Sequence, residues 1–156
     1  MLSLWHRCGV TVPLWLTVVG ATVAITSAAC PSEEWLLNED YCYWVTPIKV
    51  DWKGADVVCY DKHPEARAVS IHDMIENAFV AERFEHSSPW IGLFRFNTNS
   101  EWAWTDGTPV NFTNWCQGYP AGDGQRFAYI PPGVNGCWHS YDFTGYVRTV
   151  CKTRSI

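Results

Sequence analysis

Six cysteines follow residue 29, at Cys30, Cys42, Cys59, Cys116, Cys137 and Cys151, and they limit this chain more than any other feature. An even set of cysteines reads as three bridges only where thiols oxidise, so the start of the chain decides how to read them. Met1 to Arg7 is a short basic opening, Cys8 to Ile25 is largely apolar, and Thr26-Ser27-Ala28-Ala29 is the small-residue run that a signal peptidase cuts after. The expectation is a signal peptide over 1–29 and a secreted, extracellular, disulfide-stapled domain over 30–156. The alternative is an uncleaved anchor, since the apolar run is close to the roughly 18 residues that span a bilayer, although Thr11, Thr17, Gly20 and Thr22 weaken it. Lipid attachment at Cys30 is disfavoured, because the residue three before it is Ser27 and not a large aliphatic. Sequence alone leaves the pairing of the six cysteines open.

Beyond residue 29 the chain carries 10 basic and 16 acidic side chains, a net charge of −6, with no cluster of Lys and Arg. That balance disfavours nucleic acid and anionic membrane as partners. Eight tryptophans also follow residue 29, and most are expected in the core, because each brings a large apolar area and one N–H to satisfy.

Trp90-Ile91-Gly92-Leu93 reads as a strand buried on both faces. Phe94, Phe96, Trp102 and Trp104 follow, interrupted by the turn formers Asn97, Thr98, Asn99 and Ser100, which predicts a hairpin. Upstream, Cys30 to Val45 predicts two short strands joined by Asn38, Glu39 and Asp40, and a Cys30 to Cys42 bridge would staple them. Asp51 is suited to cap a helix through Tyr60 that turns Trp52, Ala55 and Cys59 inward. Asp73 with Glu76 forms a capping-box pattern, predicting a helix from Asp73 to about Glu85 that buries Ile75, Phe79, Val80 and Phe84. Further strands are expected over 90–96, 102–105, 127–130, 137–140 and 146–151. Helices first and strands afterwards is an α+β order. The stretch from Asp106 to Arg126 is too long to be a mere connector, and Asn111-Phe112-Thr113 within it is a glycosylation sequon at Asn111.

Taken together, these motifs resemble a C-type lectin-like domain over about Cys30 to Cys151. Trp90-Ile91-Gly92-Leu93 matches that family's core strand, and Trp102, Trp104, Asp106 and Gly107 match its Trp-x-Trp-x-Asp-Gly hairpin. Asn114-Trp115 matches the pair that opens its long loop. The resemblance implies two helices plus antiparallel sheets with a long loop. It also implies a Cys59 to Cys151 bridge from the first helix to the last strand, and the Cys30 to Cys42 bridge of long-form members.

The departures from the family bear on function. Sugar-binding members hold one calcium with a Glu-Pro-Asn or Gln-Pro-Asp triplet in the long loop and an Asn-Asp pair after a late Trp. Here the triplet position reads Tyr119-Pro120-Ala121 and the pair after Trp138 reads His139-Ser140. Calcium needs six to eight oxygens, several from carboxylates, so this set predicts no metal site and no cofactor, with Asp123 and Asp142 the acids available to a displaced Ca²⁺ site. A cis peptide before Pro120 would keep the loop's turn. The family's usual bridge after the long loop is also missing, with Phe127 and Phe143 at its positions. An aromatic contact there and a separate Cys116 to Cys137 bridge are expected; the competing reading joins Cys116 to a second chain.

No enzyme is expected. Ser140 beside His139 is the nearest nucleophile and base, but neighbours on a strand point to opposite faces. His63, His72 and His86 show no metal spacing, and Glu65, Glu82 and Glu85 read as solvated charges. What remains is the outer surface of the long loop, where Phe112, Tyr119, Asp123, Gln125, Arg126, His139, Tyr141 and Asp142 mix aromatic and polar character suited to an interface. The leading expectation is a recognition module for an extracellular glycan or protein ligand, without the family's calcium arrangement. The alternatives are a calcium-dependent lectin with displaced ligands and a secreted, toxin-like inhibitor of another protein.

Overall fold

The computed structural model describes residues 15–18, 21–24, 27–122, 124–142 and 145–156. Strands β1 (Trp15–Val18) and β2 (Ala21–Ala24) pair antiparallel as a sheet of their own. The remaining strands form two four-stranded sheets. In the first, β3 (Leu36–Asn38), β4 (Tyr41–Val45), β10 (Val150–Arg154) and β5 (Arg67–Ala68) lie in the order β3-β4-β10-β5. In the second, β7 (Ala103–Trp104), β6 (Trp90–Phe94), β8 (Phe127–Tyr129) and β9 (His139–Tyr141) lie in the order β7-β6-β8-β9. All the strand pairs within the sheets are antiparallel. With helices α1 (Trp52–Lys62) and α2 (Met74–Arg83), this is the expected α+β architecture. No helix among the described residues is long and apolar enough to cross a membrane.

Both helix starts follow from local chemistry. The Asp51 carboxylate accepts from Gly54 N at 2.8 Å, and Asp73 accepts from Glu76 N at 2.8 Å, each satisfying an orphan donor of the first turn. The inward face of α2 differs from the expectation: Ile75 is 72% exposed, while Glu76 and Asn77 are buried beside Val80. Phe84 is buried as expected, and Phe79 is half-buried against the main core. The reason is polar: Glu76 meets Tyr43 and Lys152, and Asn77 Oδ1 accepts from Trp138 Nε1 at 2.7 Å. These partners hold the helix at a rotation that turns Ile75 out.

β6 is the centre of the core, with Trp90, Ile91 and Leu93 no more than 1% exposed. Gly92 allows the two sheets to meet. Its N–H donates to Val69 O at 2.8 Å, and a Cβ there would lie 2.6 Å from the Ala68 carbonyl oxygen. Trp35, Trp104 and Trp138 are also buried, and the indole N–H groups of Trp52 and Trp90 donate to Ile91 O and Val50 O. The hairpin acid Asp106 accepts from Ser70 Oγ, Thr108 N and Thr108 Oγ1. Burial pushes its pKa up, but the hydrogen bonds from Ser70 and Thr108 outweigh that and hold it below the ordinary carboxylate value.

Three disulfides fasten these elements. Cys30–Cys42 staples the β3-β4 hairpin, Cys59–Cys151 ties α1 to β10, and Cys116–Cys137 crosses the base of the long loop. The last is intramolecular, so Cys116 does not reach a second chain. Phe127 stacks on Trp52 at 4.4 Å between ring centroids. Its expected partner Phe143 lies outside the described residues.

Candidate functional site

The long loop runs from the end of β7 to the start of β8 and is held at three points. At its base, Trp138 N donates to Asn114 O at 2.7 Å, Cys116 N donates to Trp138 O at 3.0 Å, and Asn114 Nδ2 donates to Gly136 O at 3.0 Å. Trp115 packs between Trp102 and Trp138, with centroids 4.8 and 5.7 Å away. At its far end the anchor is Arg95, whose guanidinium donates to the carbonyls of Ala121, Gly122 and Gln125 and also to Thr98 O. At its tip, Ala121 N donates to Ser140 Oγ at 2.8 Å, and that hydroxyl donates to Gln125 Oε1 at 2.7 Å.

Pro120 follows a cis peptide bond, as the loop's turn suggests. The Tyr119 ring lies flat on His139, with centroids 3.9 Å apart and planes 12° apart. Burial holds His139 below the usual imidazole pKa, so it stacks as a neutral ring at pH 7. From His139 the ring contacts continue along the sheet: Tyr129 meets His139 at 5.8 Å and Tyr141 at 6.0 Å. Tyr129 is pushed above the ordinary phenol range by burial first, then by Tyr119 and Tyr141.

Of the residues expected at the site, the structure brings together Tyr119, Gln125 and His139 through these contacts, and places Tyr141 two positions along β9, 42% exposed. Arg126 turns aside, donating to Phe96 O at 3.0 Å. Asp142 is half-buried at the end of β9, and Asp123 lies outside the described residues. Ser140 is buried on the face of β9 opposite His139 and is engaged with the loop, so the two do not form a base and nucleophile. Asn111 is exposed on the loop.

The residues at the family's calcium positions do not fit that ion. A phenol, a methyl group, a neutral imidazole and a hydroxyl offer two uncharged side-chain oxygens in place of carboxylates, and one of them, Ser140 Oγ, is already bonded to Ala121 and Gln125. Sequence reading did not single out Arg95, whose acceptors are backbone carbonyls, or Tyr129 and Tyr146, which only the fold brings beside Tyr141.

The family model described as lectin C-type domain matches residues 48–153. Lectin BRA-3 of Megabalanus rosa is 32% identical over 142 residues, covering 88% of this chain and 88% of that protein. The low affinity immunoglobulin epsilon Fc receptor of Mus musculus is 30% identical over 140 residues, covering 89% of this chain, which spans 41% of the receptor. Among solved structures, the cow C-type carbohydrate-recognition domain of CD23, in the presence of GlcNAc2Man3 oligosaccharide, superposes with a TM-score of 0.74 at 28% identity, covering 83% of this chain and 99% of that one.

Proposed function

The chain belongs to the family of C-type lectin domains, and we propose that it is a secreted recognition module whose long-loop face binds an extracellular glycan or protein ligand without calcium. The observation that carries this reading is the state of the family's calcium positions. Tyr119 and His139 are stacked on each other, and Ser140 is bonded to Ala121 and Gln125. Arg95 supplies a fixed positive charge to three loop carbonyls, so the loop is organised by a guanidinium. The exposed Tyr141 ring and the half-buried rings of Tyr119 and His139 suit stacking on a sugar face or packing at a protein interface. On this reading the segment 1–29 is removed on secretion.

The test is thermal unfolding of the purified protein in about 5 mM CaCl₂ and in EDTA. An ion bound at one hundred times its Kd stabilises a domain by about 2.7 kcal/mol, roughly 10 °C for one of this size. We expect a difference below about 1 °C, and equal binding to a glycan array with and without EDTA. A rise of several degrees with calcium, or array binding abolished by EDTA, would establish instead a calcium-dependent lectin with displaced ligands. The same preparation tests Asn111: we expect a glycan that a peptide N-glycosidase removes and that Asn111→Gln never acquires. An unmodified mass from secreting eukaryotic cells would refute its occupancy.

A further inference from the structure

Beside the loop face, the second sheet carries a pocket of about 280 Å³ lined by Trp90, Tyr129, Tyr141, Gly145, Tyr146 and Val147. Three of its rings form a mutually contacting set. Trp90 and Tyr129 meet at 5.7 Å and 75°, Tyr129 and Tyr141 at 6.0 Å and 79°, and Trp90 and Tyr141 at 6.4 Å and 49°. Tyr146, 65% exposed, adds a fourth ring to the lining. Gly145 holds the chain close to them, since a Cβ there would lie 3.1 Å from Tyr141 and 3.2 Å from Trp90. A residue with a Cβ would require these rings to give way by a few tenths of an ångström.

Among the described residues the lining has no Asp, Glu, Lys or Arg side chain. A ligand entering it meets aromatic rings, chiefly the exposed Tyr141 and Tyr146 with Trp90 beneath them, and phenol hydroxyls in place of a charged partner. The net charge of −5 adds a field that favours cations over anions. Elsewhere the protein seats its own cations on rings, Lys62 over Trp44 at 4.6 Å and Lys152 over Tyr41 at 4.2 Å. The arginines at positions 67, 95, 126 and 154 likewise lie over rings outside this pocket, those of Tyr60, Trp102, Phe127 and Tyr41. A primary ammonium or guanidinium would need acceptors for its N–H groups, which a carboxylate-free lining supplies poorly. A quaternary ammonium has no N–H to satisfy, spreads its charge over methyl groups, and is held by aromatic faces alone.

We propose that the pocket formed by Trp90, Tyr129, Tyr141 and Tyr146 is a binding site for a quaternary ammonium head group of the choline type. It adjoins the long-loop face through Tyr141, but it stands or falls independently of what that face binds. The test is calorimetric titration of the disulfide-intact protein with choline, with tetramethylammonium, and with 3,3-dimethylbutan-1-ol, the neutral isostere of choline. Choline should bind at least about tenfold more tightly than the isostere. Tyr146→Ala should weaken choline about fivefold or more without changing the melting temperature, because the ring is exposed, and Tyr146→Phe should retain binding. Co-sedimentation with phosphatidylcholine vesicles but not phosphatidylglycerol vesicles would assign the head group to a lipid. Choline binding without vesicle binding would assign it to a soluble or macromolecule-borne group. Equal affinity for choline and its isostere, a methyl pyranoside binding the pocket more tightly than choline, or no heat with choline at about 50 mM would each overturn the proposal.

Discussion

Replacing Cys59 and Cys151 together by alanine is expected to cost about 4–5 kcal/mol of stability, the largest loss among the three bridges. The two residues are 92 apart in sequence, so their bond closes most of the domain into one loop of the unfolded chain. Cys30–Cys42 and Cys116–Cys137 span only 12 and 21 residues. In a chain-entropy account the cost grows with the logarithm of loop length, which puts those two bridges at about 3 and 3.4 kcal/mol. The ranking matters more than the magnitudes. Both cysteines of the long bridge are fully buried against Trp35 and Ala66, so the Cys59/Cys151 variant also loses packing that the half-exposed Cys116 does not provide. Against the 5–15 kcal/mol that folds a typical domain, a loss near 5 lowers the melting temperature by roughly 15 °C or more. Denaturant unfolding of the three double variants gives the ordering directly. Equal losses, or the greatest loss at Cys30/Cys42, would show that loop closure does not set the ranking.

What the sequence could disclose depended on how far each interaction reaches along the chain. The caps at Asp51 and Asp73 act within three residues, so their types and spacing announce both helices. The Trp90 to Leu93 strand is legible because four consecutive small or apolar residues are needed for burial on both faces, and the Gly92 contact with Ala68 is the physical reason for its glycine. Ile75 went the other way. Periodicity placed it inside, but the rotation of α2 is fixed by Glu76 reaching Lys152 and Asn77 reaching Trp138, partners 76 and 61 residues distant. The strand of Val150 to Arg154 begins later than the pattern of Tyr146 to Cys151 suggests, because its register is set by pairing with Tyr41–Val45 across the whole domain. At the site, Tyr119, Ala121, His139 and Ser140 could be read as lost calcium ligands by residue type. Their new roles could not, since stacking and the Ser140 to Gln125 bond need coordinates. Arg95 was illegible for a further reason: its acceptors are main-chain carbonyls, which every residue carries.

The buried ion pair between the sheet and α2 gives the second large effect: Lys152→Met alone is expected to destabilise the domain by about 3–5 kcal/mol. Lys152 Nζ lies 2.5 Å from Glu76 Oε1, with side-chain exposures of only 7% and 11%. Further hydrogen bonds hold both partners of the pair. Tyr43 Oη donates to the same carboxylate oxygen at 2.7 Å, His72 N donates to Oε2 at 2.9 Å, and Lys152 also donates to Ser70 O at 3.0 Å. Burial, then the neighbouring Glu76, pushes Tyr43 far above the ordinary phenol pKa, so its hydroxyl remains a donor wherever the protein is folded. The sign follows from that direction: Tyr43 contributes fully below about pH 10, the ordinary phenol value, and its contribution falls as pH rises above it. Removing the lysine charge leaves a carboxylate facing a phenol and a backbone amide with no cation and little water, which is where the cost arises. The double variant Lys152→Met with Glu76→Gln should recover at least about 2 kcal/mol, because the amide oxygen still accepts from Tyr43 while no buried charge remains. A single-variant loss below about 1 kcal/mol in urea unfolding would mean that solvent reaches Glu76, and that the rotation of α2 is set by Asn77 and Trp138 instead.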